Sequence, residues 1–139
     1  MKNLFIALFA MISFAATAQS SDLNLVSGSG AKMDFVKETI DYGTIEHNAD
    51  GVRYFEFKNT GSEPLIISAC KGSCGCTVPV CPKEPILPGE KGKIQVKYAT
   101  DRVGAFTKNV TVTSNGGNPN VVLTIKGTVK PDAEVAPAK

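Results

Sequence analysis

The stretch Lys93-Ile94-Gln95-Val96-Lys97-Tyr98 alternates polar and apolar residues one for one. A period of two puts Ile94, Val96 and Tyr98 on one face of an extended chain and Lys93, Gln95 and Lys97 on the other. That is the pattern of a strand with one buried face. The same period runs outward from it. Phe106, Val110 and Val112 alternate with Thr107, Asn109, Thr111 and Thr113, and Val121, Leu123 and Ile125 alternate with Val122, Thr124 and Lys126. Upstream, Phe55 and Phe57 alternate with Tyr54, Glu56 and Lys58; Leu65 and Ile67 form a short strand after Pro64, and Phe35 and Val36 another near the start. β-Branched and aromatic residues fill these runs, as a pleated half-buried surface prefers.

Turn signals part the runs. Asn48-Ala49-Asp50-Gly51, Asn59-Thr60-Gly61, Pro88-Gly89 and Asn115-Gly116-Gly117-Asn118-Pro119 supply left-handed or proline-fixed positions. Beyond the amino-terminal segment no window carries a helical stripe. About seven short strands, with turns every 8–12 residues or so, predict an all-β chain: a single immunoglobulin-like β-sandwich of about seven antiparallel strands. The chain has no Trp, so the Trp packed on an inter-sheet disulfide in antibody domains is missing, and Phe, Ile, Val and Leu must build the core.

The two ends read differently. Met1 to Ala18 has the form of a secretory signal peptide: Lys2, an apolar run from Leu4 to Ala16, and the small-residue site Ala16-Thr17-Ala18. Cleavage after Ala18 leaves Gln19 first, with no Cys there to carry a lipid anchor. No later segment is apolar for long enough to cross a bilayer. A secreted or periplasmic location follows, and with it an oxidising compartment for the cysteines. Residues 19–32, rich in Gly and Ser, read as a flexible linker, 33–130 as the folded domain, and 131–139 as a disordered tail.

Composition narrows the function. The chain of 139 residues has 15 basic and 13 acidic residues and a net charge of +2, so it shows no basic stripe for nucleic acid. Its one His, His47, precedes a turn and reads as an exposed turn residue; no nucleophile-elbow pattern surrounds any Ser. Asp41, Glu46 and Asp50 are loop acids without EF-hand spacing. Asn109-Val110-Thr111 matches a glycosylation sequon but lies in a strand. No acid–base constellation and no cofactor motif emerges. Tyr54 and Val122, on outward faces, either mark an apolar patch or sit beneath a neighbouring segment.

One chemical constellation remains. The four Cys fall within Cys70-Lys71-Gly72-Ser73-Cys74-Gly75-Cys76-Thr77-Val78-Pro79-Val80-Cys81, read as a loop after the Leu65–Ile67 strand. Four Cys allow three pairings. A Cys70–Cys81 bridge would fasten the loop ends and leave Cys74 and Cys76, whose bridge needs a tight turn that Gly75 would permit. So small a ring is strained, and strain makes a disulfide easier to reduce. Three chemistries fit: structural stapling, thiol–disulfide exchange at Cys74 and Cys76 with Lys71 near enough to favour a thiolate, and Cu(I) or zinc held by the thiolates of the loop.

The order of short motifs resembles the DUF1573 family. It runs Asp41-Tyr42-Gly43-Thr44-Ile45, Phe55-Glu56-Phe57-Lys58-Asn59-Thr60-Gly61, Pro64-Leu65-Ile66-Ile67 and Ser73-Cys74-Gly75-Cys76-Thr77. Then come Pro85-Ile86-Leu87-Pro88-Gly89-Glu90, Ile94-Gln95-Val96-Lys97-Tyr98, Gly104-Ala105-Phe106 and Ser114-Asn115. The resemblance implies a secreted or periplasmic domain similar to PapD-type or ASH/HYDIN-type immunoglobulin-like modules, and no activity. Its Ser-Cys-Gly-Cys-Thr motif maps onto Ser73, Cys74, Gly75, Cys76 and Thr77, with Cys70 and Cys81 outside it. The expectation is a non-enzymatic module that binds or scaffolds a protein partner in the cell envelope. Strand addition at the first strand or at Asn120–Val129 would be one route.

Overall fold

Alternating burial carries the chain through eight strands. They are β1 (Met33–Phe35), β2 (Thr39–Ile45), β3 (Val52–Asn59), β4 (Ile67–Gly72), β5 (Thr77–Val80), β6 (Lys91–Tyr98), β7 (Gly104–Ser114) and β8 (Asn120–Val129). The computed structural model describes residues 30–133. The signal peptide expected at 1–18 and most of the linker and tail lie outside the described residues. Two four-stranded sheets, ordered β1-β3-β6-β5 and β2-β8-β7-β4, face one another. The all-β sandwich is therefore what forms.

Several details differ from the sequence reading. β2 runs parallel to β8, with a register shift between Asp41 and Thr44 where Gly43 takes φ +64°. Ile40 and Tyr42 are buried and Ile45 is partly buried. The glycine bulge breaks the alternation, and this hid the strand. Leu65 lies outside β4 and bridges Ile86 instead, so β4 begins at Ile67 and already contains Cys70. β8 is an inner strand between β2 and β7 and offers no free edge; β1 does lie at an edge.

Between the sheets, Phe55, Phe57, Leu65, Ile94, Val96, Val110, Val112, Leu123, Ile125 and Val129 are essentially without solvent contact. At about 2 kcal/mol for each such side chain, this core outweighs anything a single disulfide adds. An aromatic stack extends it: Tyr98 lies 3.8 Å from Phe106, centroid to centroid, and Tyr42 meets Phe106 edge-on at 5.4 Å. The Tyr42 hydroxyl donates to the Gly51 carbonyl at 2.8 Å, and burial pushes its pKa up to about 12.

The last residues of the expected linker belong to the fold. Ala31 is buried, Lys32 accepts from the Thr60 N–H and Gly30 from the Ser62 N–H. His47 is held rather than free. Nδ1 lies 2.9 Å from Asp132, the larger cause of its raised pKa, and Nε2 lies 3.2 Å from the Asp101 carbonyl.

Asn59 is the most deeply buried polar residue among those described. It has no solvent exposure. Its Oδ1 accepts from the Lys32 N–H at 3.2 Å and the Gly61 N–H at 3.0 Å. Its Nδ2 donates to the Glu63 and Ile86 carbonyls, each at 2.8 Å. One amide thus satisfies four backbone groups from three segments. Asn59→Ala is expected to lower stability by about 3 kcal/mol in urea unfolding, since those groups lose their partner where water enters poorly. A loss below about 1 kcal/mol would mean that the amide is not the plug described.

Candidate functional site

Between Gly72 and Thr77 the chain leaves one sheet and enters the other. The turn is tied on both sides. Ser73 N–H donates to the Asn109 carbonyl at 2.8 Å, and Asn109 N–H donates to Ser73 Oγ at 3.1 Å, which anchors the entry on β7. Ala99 N–H donates to the Cys76 carbonyl at 2.9 Å, which anchors the exit just beyond β6. Thr77 N–H closes the turn on the Cys74 carbonyl at 3.2 Å. Gly72 is needed because a Cβ there would run into the Thr77 carbonyl. Gly75 takes no left-handed backbone, and a Cβ on it would meet nothing within 4 Å. Its role in the turn is therefore openness rather than backbone freedom.

The cysteines pair as Cys70–Cys81, with Cα atoms 6.3 Å apart, and Cys74–Cys76, with Cα atoms 5.2 Å apart. Cys70 sits in β4 and Cys81 directly follows β5. Because β4 and β5 are edge strands of opposite sheets, this bridge joins the two layers along one side. The four Cys do not share one loop: β4 continues through Cys70, which pairs with Val112 of β7, and β5 lies between Cys76 and Cys81. Lys71, the next residue of β4, alternates to the opposite face from Cys70 and is exposed.

The Cys74–Cys76 bridge is asymmetric. Cys76 is 4% exposed, whereas Cys74 is partly exposed beside the open Gly75. Thr77, 2% exposed, places Oγ1 at 3.8 Å from each sulfur. Disulfide sulfurs carry no proton, so the hydroxyl is the donor to either. No other hydrogen-bond partner of this hydroxyl occurs among the described residues. Sequence motif alone could name Thr77 but not its function as a donor aimed at sulfur. As for metal, a Cu(I) site on Cys74 and Cys76 requires that bridge to open first, and a four-thiolate zinc site requires both to open. Among the described residues no group of three or more His, Cys, Asp or Glu is placed to hold an ion.

A second surface stands out on the outer face of β1-β3-β6-β5. Tyr54 is opposite Gln95, which is opposite Val80; Val52 is opposite Lys97, which is opposite Val78. Tyr54, Val78 and Val80 are about half exposed. Lys58, Lys91, Lys93 and Lys97 are exposed on β3 and β6, with Glu56 the one acid on those two strands. Lys93 Nζ lies 5.5 Å from the centre of the Tyr54 ring. Val122 belongs to the other sheet, so it and Tyr54 do not form one patch. Their exposure is legible from period two; the contribution of β5 is not, because four residues containing Pro79 have the composition of a loop.

A family model described as "Protein of unknown function (DUF1573)" matches residues 33–129. No curated protein matches the chain. Among solved structures, a protein of unknown function from Porphyromonas gingivalis is similar, with a TM-score of 0.64 and 13% identity over 77% of this chain. The chain spans about half of that protein, 51%. An ASH / PapD-like domain of human CEP192 is similar with a TM-score of 0.58 and 13% identity, over 80% of this chain and 93% of that one. The secreted serine protease VesC from Vibrio cholerae is similar over 70% of this chain and 23% of that protein, with a TM-score of 0.54 and 8% identity. At such identities these structures share the fold alone. With the family's match spanning the sandwich from β1 to the end of β8, the chain belongs to the DUF1573 family.

Proposed function

We propose that this chain is a secreted or periplasmic binding module that docks an acidic protein partner in the cell envelope against the outer face of β1-β3-β6-β5. The observation that carries this is the half-exposed Tyr54, Val78 and Val80, with Gln95 and Lys97 of β6 between β3 and β5, Lys93 beside the Tyr54 ring, and Lys58 and Lys91 further along the same strands. Exposed apolar side chains set among charged ones suit a protein interface, and tyrosine is enriched at the energetic centres of such surfaces. The basic rim selects partners with carboxylates and speeds encounter. At the edges of this sheet, and at β8, strand addition is the weaker route. β1 is only three residues long, β8 is inside its sheet, and β5 carries Pro79, which has no N–H to donate. Both disulfides suit an oxidising compartment, and the signal-like segment at residues 1–18 supports export.

A second reading concerns the cysteines. Cys70–Cys81 acts as a staple between layers, while Cys74–Cys76 exchanges with thiols. The Thr77 hydroxyl, set to stabilise a thiolate, favours exchange over pure structure.

Two experiments test these readings. A photo-crosslinking residue at position 54, installed in the full chain and expressed in its envelope, is expected to give a discrete higher-mass adduct that fades with added salt. The same residue at position 111, on the opposite outer face, is expected to give none. Equal adducts at both positions, or none at 54, would contradict the sheet-face proposal. Removing the staple as Cys70→Ser with Cys81→Ser should cost about 3 kcal/mol of stability, and Cys74→Ser with Cys76→Ser about half of that, from the sizes of the closed loops. Equal losses would contradict the division of roles.

A further inference from the structure

The two sulfurs of the Cys74–Cys76 bridge are not equivalent, and the exchange reading above is given a direction by that difference. We propose that a small unhindered thiolate, of the glutathione or free-cysteine class, attacks Cys74 Sγ and that Cys76 leaves as the thiolate. Attack on a disulfide needs access to one sulfur from the side opposite its partner. Cys74 is partly exposed and is followed by Gly75, whose outer side is open. Cys76 is 4% exposed, packs in the core cluster, and has its carbonyl fixed by Ala99 N–H. Access therefore selects Cys74.

The buried sulfur then has to accept charge. Burial alone disfavours a thiolate. Thr77 Oγ1, 3.8 Å from Cys76 Sγ and with no other partner among the described residues, offsets that by donating to it. The hydroxyl is equally near Cys74 Sγ, so it serves whichever sulfur leaves, and exposure decides which one that is.

The step balances as an exchange. The incoming thiolate forms a new S–S bond to Cys74 Sγ, the Cys74–Cys76 bond breaks, and its electron pair stays on Cys76 Sγ. Cys76 then either returns to Cys74 and expels the thiol, or takes a proton from water. In the second case, another thiolate attacks the sulfur of the bound thiol. That releases the oxidised small disulfide and leaves Cys74 reduced, so two thiols are oxidised as one protein disulfide is reduced.

The test uses the full chain with reduced glutathione, acid quenching and peptide mapping at low pH. The glutathione adduct is expected on Cys74 in roughly tenfold excess over Cys76. Thr77→Val, which keeps the shape and removes the donor, should slow opening about fivefold, with Thr77→Ser restoring the rate. A comparison of two variants, each with one free cysteine beside the Cys70–Cys81 bridge, covers a short-lived adduct. Cys74 in Cys76→Ser should react with oxidised glutathione roughly ten times faster than Cys76 in Cys74→Ser. Adducts shared equally, or equal rates in these two variants, would overturn the direction while leaving exchange itself standing. A Cys74–Cys76 pair that stays closed under conditions that open Cys70–Cys81 would overturn the exchange reading as well.

Discussion

Four residues, Ser73 to Cys76, must carry the chain from one sheet of the sandwich to the other. Sheets packed face to face lie about 10 Å apart, so this crossing has little slack. Its two ends are fixed by hydrogen bonds to opposite layers, Ser73 to Asn109 of β7 and Cys76 to Ala99 after β6. Much else follows. Gly72 must lack a side chain to let Thr77 close, the Cys74–Cys76 ring sits at the corner with Cys74 toward solvent and Cys76 in the core, and Thr77 is buried with its hydroxyl near both sulfurs. The Cys70–Cys81 bridge reinforces the same corner from the flanking edge strands. On the exchange reading proposed above, a pair mounted on this corner keeps its sulfurs in one place, which a free loop would not.

The core supplies that rigidity. Its stability comes from the apolar inner faces of β3, β6, β7 and β8, and from the Tyr42–Phe106–Tyr98 stack that closes one end. None of the four cysteines lies in β3, β6, β7 or β8, so on the exchange reading the Cys74–Cys76 pair opens without removing a core contact between those strands. The Tyr54 face is mounted on β3, β5 and β6. Cys76 is pinned to Ala99, one residue past the end of β6, and leads directly into β5. The two surfaces therefore share strands, and a partner on the lysine-rimmed face would sit on the same sheet that receives the cysteine turn.

Period two made most of the architecture readable, because a strand with one buried face writes its orientation into every second residue. Ile94, Val96, Phe55, Phe57, Leu123 and Ile125 are all buried as their alternation requires. The pattern failed where another force took over. Gly43 inserts a bulge in β2, and a parallel pairing with β8 leaves no trace in local sequence. β5 is short and carries Pro79, so its pairing with β6 overrode its loop-like composition. Asn59 looked like a turn residue, and it does shape that turn through Gly61 N–H. Its burial depends on carbonyls of Glu63 and Ile86 brought in by tertiary structure. At the cysteines, spacing exposed the small ring, but the unequal burial of Cys74 and Cys76 and the aim of the Thr77 hydroxyl exist only once two sheets meet.

The central claim is that one bridge holds the corner and the other exchanges. A redox titration of the full chain in graded glutathione buffers, with each pair followed separately by mass spectrometry, tests it most directly. The account predicts that Cys74–Cys76 opens at a distinctly less negative potential than Cys70–Cys81. Two bridges opening together, or Cys70–Cys81 opening first, would contradict it.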